Sequence, residues 1–213
     1  MLWIVTQELF VGFIVTLQLF AICLACSMPL GLIVSFGSMS KFRPLRYIVK
    51  TFIWIIRGIP LLLQIMIVFY VPGLLYNIRL PRFTAAAIAI TINYSCYYSE
   101  IYRGGIESIS QSQYEAGQVL GMTKPQIFFQ VIALQVVKRI MAPMSNEVIN
   151  LIKDTALARI IMVIELLRVA ENILATRMLI WPLFYAGAFY LAAVGVITLF
   201  FMYGEKKLDY FKA

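Results

Sequence analysis

From Leu9 to Ser40 the chain carries no Asp, Glu, Lys or Arg. A helix that crosses a bilayer needs about 20 mostly apolar residues. This run exceeds that length before it ends in a stretch rich in Gly and Ser. Further uncharged runs follow at Gly58 to Ile78, Phe83 to Ser99 and Met178 to Gly204. Another apolar stretch, Ile140 to Met162, is interrupted by Glu147, Lys153, Asp154 and Arg159. The pattern predicts an all-α polytopic membrane protein with about five transmembrane helices. They fall near 9–38, 52–77, 83–102, 138–160 and 179–204 of a single transmembrane domain over 1–213, with the longest loop at 103–137. Composition agrees. Hydrophobic residues make up 62% and charged residues only 13% of the chain, whereas a soluble domain has about 25% charged residues.

The net charge of +8 would suggest nucleic acid as the partner of a soluble protein. In a membrane protein Lys and Arg mark the cytoplasmic ends of spans instead, so lipid is expected and nucleic acid is not. No Lys or Arg precedes the first span. Lys41, Arg43, Arg46 and Lys50 follow it, and Arg103, Lys124, Lys138 and Arg139 lie in the third loop. Lys206, Lys207 and Lys212 lie in the tail. The bias predicts an N-terminus outside and a C-terminus in the cytoplasm. Arg79 and Arg82, in a short outer loop, fit this less cleanly. Residues 165–177 read as an amphipathic helix on the outer side. Trp3, Trp54 and Trp181 suit the membrane interfaces. Gly12, Gly31 and Gly195 suit close helix approach. Cys23 and Cys26 form a CxxC inside an apolar run, but the chain has no His to complete a mixed zinc site. They read as small buried hydrophobes. No cleavable signal peptide is evident, since no basic segment precedes the first apolar run.

The third loop is punctuated. Ser112-x-x-Glu115 has the capping-box pattern, in which a hydroxyl and a carboxylate satisfy first-turn amides reciprocally. Gly121 suits the left-handed residue just past a helix end. Thr123-x-x-Gln126 is a second capping box, and Pro125 is tolerated in a first turn. Two short helices meeting at Gly121 form either a connector between spans or a docking element.

Glu115-Ala116-Gly117, then Gly121, then Val131-Ile132-Ala133-Leu134 resembles the cytoplasmic EAA motif of permease subunits in bacterial ABC importers. Gly117 stands where the family has a second Ala, and Leu134 where it has Pro. The first departure lowers helix propensity by at most about 1 kcal/mol, and the second straightens the exit from the loop. Arg57-Gly58-Ile59-Pro60-Leu61-Leu62 resembles the RGTPLL element of the polar amino-acid subfamily, which includes histidine, glutamine and arginine permeases. Tyr97-x-x-Glu100-x-x-Arg103-Gly104-Gly105-Ile106 resembles its AYxxExxRGGI element. Asn146-Glu147 and Leu151-Ile152-Lys153-Asp154-Thr155-Ala156-Leu157 resemble NE and LLKDTSL. The order and spacing of these elements span about residues 12–205.

The resemblance implies a subunit of an inner-membrane importer that moves an amino acid by alternating access. It implies an identical or homologous second permease subunit and an external amino-acid-binding protein. The chain has no GxxxxGK[ST] phosphate loop, so a cytoplasmic ATPase pair would bind ATP and Mg and hydrolyse the nucleotide. No catalytic or metal-ligating residue and no cofactor is expected in this chain. Glu115, Ala116, Gly117, Gly121 and Met122 would couple to the ATPase. Charged groups inside a membrane are costly and usually functional. Asp154 is the first candidate for a solute ammonium and Arg57 for its carboxylate, with Asn93 and Thr155 as neutral partners. Glu100 would meet a cationic end or pair with Arg103. Lys153 pairing with Asp154, and Arg57 with Glu147, would be a purely structural use of the same charges. An ATP-independent carrier or channel would explain the charges but not the capped loop. A membrane scaffold would explain the loop but not the charges.

Overall fold

The computed structural model describes residues 2–208, so Lys212 lies outside the described residues. The described chain is helical, without strands. It begins with α1 (Leu2–Ser38), a single helix that accommodates Pro29. The buried positions of α1 recur every three or four residues, from Val5 through Gly12, Thr16, Cys23, Ser27 and Gly31 to Ser38. Most of this stripe is small, and small residues let helix backbones come close. Helix α4 (Arg82–Glu107) fills that stripe, and the α1–α4 contact is the most extensive in the molecule. A Cβ on Gly31 would lie 2.7 Å from Tyr98 Cβ and 2.9 Å from the Ser95 carbonyl. Gly12 plays the same part farther along, 3.0 Å from the Leu166 Cα by the same measure. Gly195 touches nothing within 4 Å, so the close approach expected there does not occur within this chain.

The expected span at 52–77 is not one rod. Helix α2 (Arg43–Gly58) and helix α3 (Leu61–Tyr76) meet at 103°. The cause is local. The residue before a proline is driven out of the helical region, and Ile59 sits at φ −100°, ψ 134° ahead of Pro60. Helix α5 (Gln111–Val119) and the single turn α6 (Lys124–Gln126) form the loop. A wide π-turn at Ile127–Ile132 then runs without interruption into α7 (Ala133–Asp154). A 3₁₀ segment at Thr155–Ile161 leads to α8 (Leu166–Arg177), the amphipathic helix expected there, and to α9 (Trp181–Leu208).

Among the described residues, three helical stretches are long and apolar enough to cross a membrane singly: Leu2–Ser38, Lys124–Ile161 and Trp181–Leu208. The bent α2–α3 pair makes a fourth. The expected count of five is not reached by apolarity, because the second half of α4 carries Asn93, Tyr94, Tyr97, Tyr98 and Glu100. That polarity is accommodated by burial: α4 lies among α1, α2, α3 and α7, and Tyr98 is fully buried. Helix α9 is the opposite case. Phe184, Leu191, Val196 and Phe200 project outward, as they would against lipid.

One carboxylate fastens α8 to the bundle. Glu165 is 0% exposed and caps α8 by accepting from the Leu167 and Arg168 amides at 2.8 and 2.7 Å. It also accepts from the Tyr190 hydroxyl of α9 at 3.1 Å. The Leu166 amide donates to Thr16 Oγ1 of α1 at 3.2 Å. Burial pushes the Glu165 carboxyl above its ordinary range, and these hydrogen bonds only partly offset the effect.

Candidate functional site

The break between α2 and α3 opens the end of α2 toward α4 and α7, and a cavity of about 580 Å³ lies between them. Its polar lining comes at helical spacing. Asn93 and Tyr97 are four apart on α4, and Glu147, Asn150 and Asp154 are three and four apart on α7. Residues so spaced share a helix face. The last turn of α2 adds Arg57 and the last turn of α7 adds Lys153.

The charges are held in place. Tyr94 Oη donates to Asp154 Oδ2 at 2.7 Å. Arg57 lies with its guanidinium carbon 4.9 Å from the centre of the Tyr97 ring, a cation–π arrangement. Its Nη1 is 3.7 Å from Glu100 Oε2. Glu100 accepts from Arg103 Nε and Nη2 at 3.0 and 2.7 Å, and Arg103 Nη1 reaches Glu107 at 2.6 Å. A ladder of alternating charge thus runs along α4 and ends at Arg57.

Of the five residues expected at a solute site, Asp154, Arg57 and Asn93 line one cavity. Glu100 stands behind Arg57 and pairs with Arg103, as the sequence allowed. Thr155 is turned away. It is fully buried and its hydroxyl donates to the Ile152 carbonyl at 2.6 Å. The alternative structural pairs do not form among the described residues: Arg57 takes Glu100 rather than Glu147, and Lys153 makes no ion pair with Asp154. Tyr94, Asn150 and Gln64 were not anticipated. Tyr94 could have been found from its spacing, three residues before Tyr97 on the same face of α4.

In the loop, the first cap differs from expectation. Helix α5 starts earlier, and Ser110 Oγ rather than Ser112 serves as the cap, accepting from the Ser112 amide at 3.3 Å. Glu115 is therefore no capping residue. It is exposed and accepts from Gln111 Nε2 at 3.1 Å. The turn at Gly121 forms as expected. Gly121 has φ 73°, its amide bonds the Gln118 carbonyl at 2.9 Å, and the Met122 amide bonds the Gly117 carbonyl at 3.0 Å. This is the paired-bond ending that a left-handed glycine permits. The second box forms through Gln126 Oε1, which accepts from the Thr123 amide at 2.8 Å. Glu115 and Ala116 face outward, while Gly117 is buried with its α-carbon against Ile127. Val119, Leu120 and Phe129 are 88%, 79% and 71% exposed. Each of these three apolar side chains stands out to solvent, two at the end of α5 and one in the wide turn.

Residues 27–204 match the family described as binding-protein-dependent transport system inner membrane component. The chain belongs to that family. Among the relatives of this permease is the L-cystine transport system permease protein TcyB of Bacillus subtilis (strain 168). The two are 42% identical over 76% of this chain and 69% of the relative. The arginine transport system permease protein ArtQ of the same organism is 32% identical over 92% of this chain and 90% of its own. A crystal structure of an amino acid ABC transporter with histidines superposes with a TM-score of 0.87 at 29% identity, covering 95% of the permease and 94% of that chain. The MetNI methionine ABC transporter, in its inward-facing form, shares the fold with a TM-score of 0.73 at 13% identity.

Proposed function

We propose that this permease carries an amino acid into the cytoplasm through the cavity bounded by α2, α3, α4 and α7. The observation that supports this most is the placement of an acceptor and a donor on separate walls, with Asp154 held by Tyr94 and Arg57 held over Tyr97. An amino acid presents an ammonium and a carboxylate, and charge-assisted hydrogen bonds to both fix its orientation. Asp154 takes the ammonium and Arg57 the carboxylate. Asn93 adds a neutral hydrogen bond, Glu100 keeps Arg57 aimed, and Thr155 holds the backbone beside Asp154. The cavity is within the size range of small-molecule sites, about 300–1,000 Å³.

Transport proceeds by alternating access, driven by a separate ATPase pair that binds ATP and Mg. The ATPase seats on the loop at Glu115, Ala116, Gly117, Gly121 and Met122, where Val119, Leu120 and Phe129 are exposed. A second permease subunit completes the pathway and an external binding protein delivers the solute. The N-terminus lies outside and the C-terminus in the cytoplasm. In liposomes containing the permease and its ATPase, Asp154→Asn lowers solute-stimulated transport by at least about tenfold, the loss expected when a charge-assisted bond is weakened. Unchanged transport removes Asp154 from the site, and transport that persists without nucleotide removes the ATP-driven reading altogether.

The cavity holds two carboxylates, Glu147 and Asp154, and two cations, Arg57 and Lys153. A solute with two zwitterionic ends, such as the L-cystine for which one relative is named, balances all four. In a competition assay, L-cystine then displaces bound solute at lower concentration than L-glutamine or L-arginine. The reverse order excludes the double-ended solute.

A further inference from the structure

Between the cavity and the bend in the α2–α3 pair lies a buried chain of carboxamides. Asn93 lines the cavity and is 4% exposed. Its Nδ2 donates to Gln64 Oε1 at 3.3 Å. Gln64 is 7% exposed in the first turn of α3. Its own Nε2 donates to the Ile56 and Ile59 carbonyls at 2.7 and 2.9 Å.

Those two carbonyls mark what the bend leaves undone. In an unbroken helix the Ile56 carbonyl would accept from the amide of residue 60. Residue 60 is proline and has no amide proton. The Ile59 carbonyl lies at the bend itself, where Ile59 is extended. A buried carbonyl without a donor is costly. Gln64 supplies the missing donor to both with one side chain. The Ile56 carbonyl belongs to the peptide unit that leads into Arg57, so this bond also sets where the last turn of α2 presents the guanidinium.

We infer that Gln64 is a positioning residue that ties solute occupancy at Asn93 to the angle of the α2–α3 bend, and through it to the placement of Arg57. One N–H of Asn93 Nδ2 goes to Gln64 Oε1 and the other is available to a solute oxygen, which turns the Asn93 carboxamide toward the cavity and strains the 3.3 Å bond to Gln64. Gln64 then loses the bond that orients it, its hold on the two carbonyls weakens, and the bend is free to change. Gln64 itself need not touch the solute. The inference rests on the reading of the cavity as the solute site.

The test uses the whole transporter, permease with ATPase, in lipid. Spin labels at Ile48 and Leu74, both exposed and on opposite sides of the bend, report its angle once Cys23, Cys26 and Cys96 have been replaced. L-cystine, L-glutamine and L-arginine serve as probes. In the otherwise unmodified protein, the probe that stimulates ATP hydrolysis shifts the label distance. Gln64→Glu keeps the shape and the acceptor of Gln64 and, even when protonated in this buried place, returns at most one of the two donations. It raises KM for that probe by about tenfold, leaves kcat within about twofold, and abolishes the shift. Gln64→Leu, which loses the acceptor too, does the same. A residue that merely caps α2 would instead lower kcat or yield and leave the solute-dependent shift intact, which overturns the inference. Should neither Gln64 variant assemble, Asn93→Ala is read instead: it leaves both donations from Gln64 to the Ile56 and Ile59 carbonyls in place, and a shift that persists at saturating probe overturns the inference. If the unsubstituted permease binds none of the probes at the cavity, the proposed function falls first and this inference falls with it.

Discussion

Gly117 looks in the sequence like a weakened helix residue, and restoring Ala there would seem to firm the loop. The structure predicts the opposite. A Cβ at position 117 would meet Ile127 Cγ1 at 2.7 Å, Cδ1 at 3.0 Å and Cγ2 at 3.3 Å. Ile127 is 2% exposed and β-branched, so its χ1 cannot swing freely. Overpacking of this kind costs about 1–3 kcal/mol, while Gly→Ala in a helix returns about 1 kcal/mol. The expected net effect of Gly117→Ala is a local loss of up to about 2 kcal/mol. It is read by hydrogen exchange at the Gly121 and Met122 amides, whose bonds to Gln118 and Gly117 hold the turn. Exchange there should quicken by up to about thirtyfold, and solute-stimulated ATPase activity should fall with it. Ile127→Ala alone costs about 2–5 kcal/mol, but it removes every atom the new Cβ would strike. The double variant is therefore less disturbed than the sum of the singles by about 1–3 kcal/mol. Slower exchange in Gly117→Ala, or strict additivity of the pair, refutes the argument.

Gly31→Ala drives a Cβ against the Ser95 carbonyl, a backbone atom that cannot step aside. It should destabilise the α1–α4 pair by about 1–3 kcal/mol, seen as a lower melting temperature in detergent. Gly195→Ala, inside α9 with nothing nearby, should leave the isolated permease unchanged or more stable by up to about 1 kcal/mol. Glu165 supplies a pH test. Its folded-state carboxyl titrates above the ordinary 4.5, so folding favours the protonated form. That contribution is full below the unfolded value and is lost as pH rises through the raised one. The melting temperature of the unsubstituted permease, measured against Glu165→Gln, should fall from acid to neutral pH. A flat or rising difference contradicts the assignment.

The membrane character, the long first helix and the turn at Gly121 were legible because each depends on neighbours in sequence. The bend at Ile59–Pro60 was missed although the proline is in plain view, because the apolar run continues past it and suggests one span. Helix α4 shows the converse limit: its polar half weakens the membrane signal because it is buried in protein rather than lipid. The site was only partly readable. Helical spacing brings Glu147, Asn150 and Asp154 onto one face, yet nothing local reveals that Tyr94 reaches Asp154 from another helix, or that Thr155 spends its hydroxyl on the Ile152 carbonyl. Gly117 had a local meaning, lower propensity, and a tertiary one, room for Ile127. Only the first can be read without the second helix.

From Lys124 through the π-turn to Asp154 the backbone is one unbroken helical column, roughly 45 Å long at 1.5 Å per residue. Its lower end is the capped loop and its upper end carries the carboxylate that Tyr94 holds. Two places in the column depart from regular α-helical bonding: the wide turns at Ile127–Ile132, and Pro143, which has no amide to donate. On the proposed coupling, the loop at Thr123 and the carboxylate of Asp154 are opposite ends of one helical element, and the 2.7 Å bond from Tyr94 is where a change in that element would meet α4.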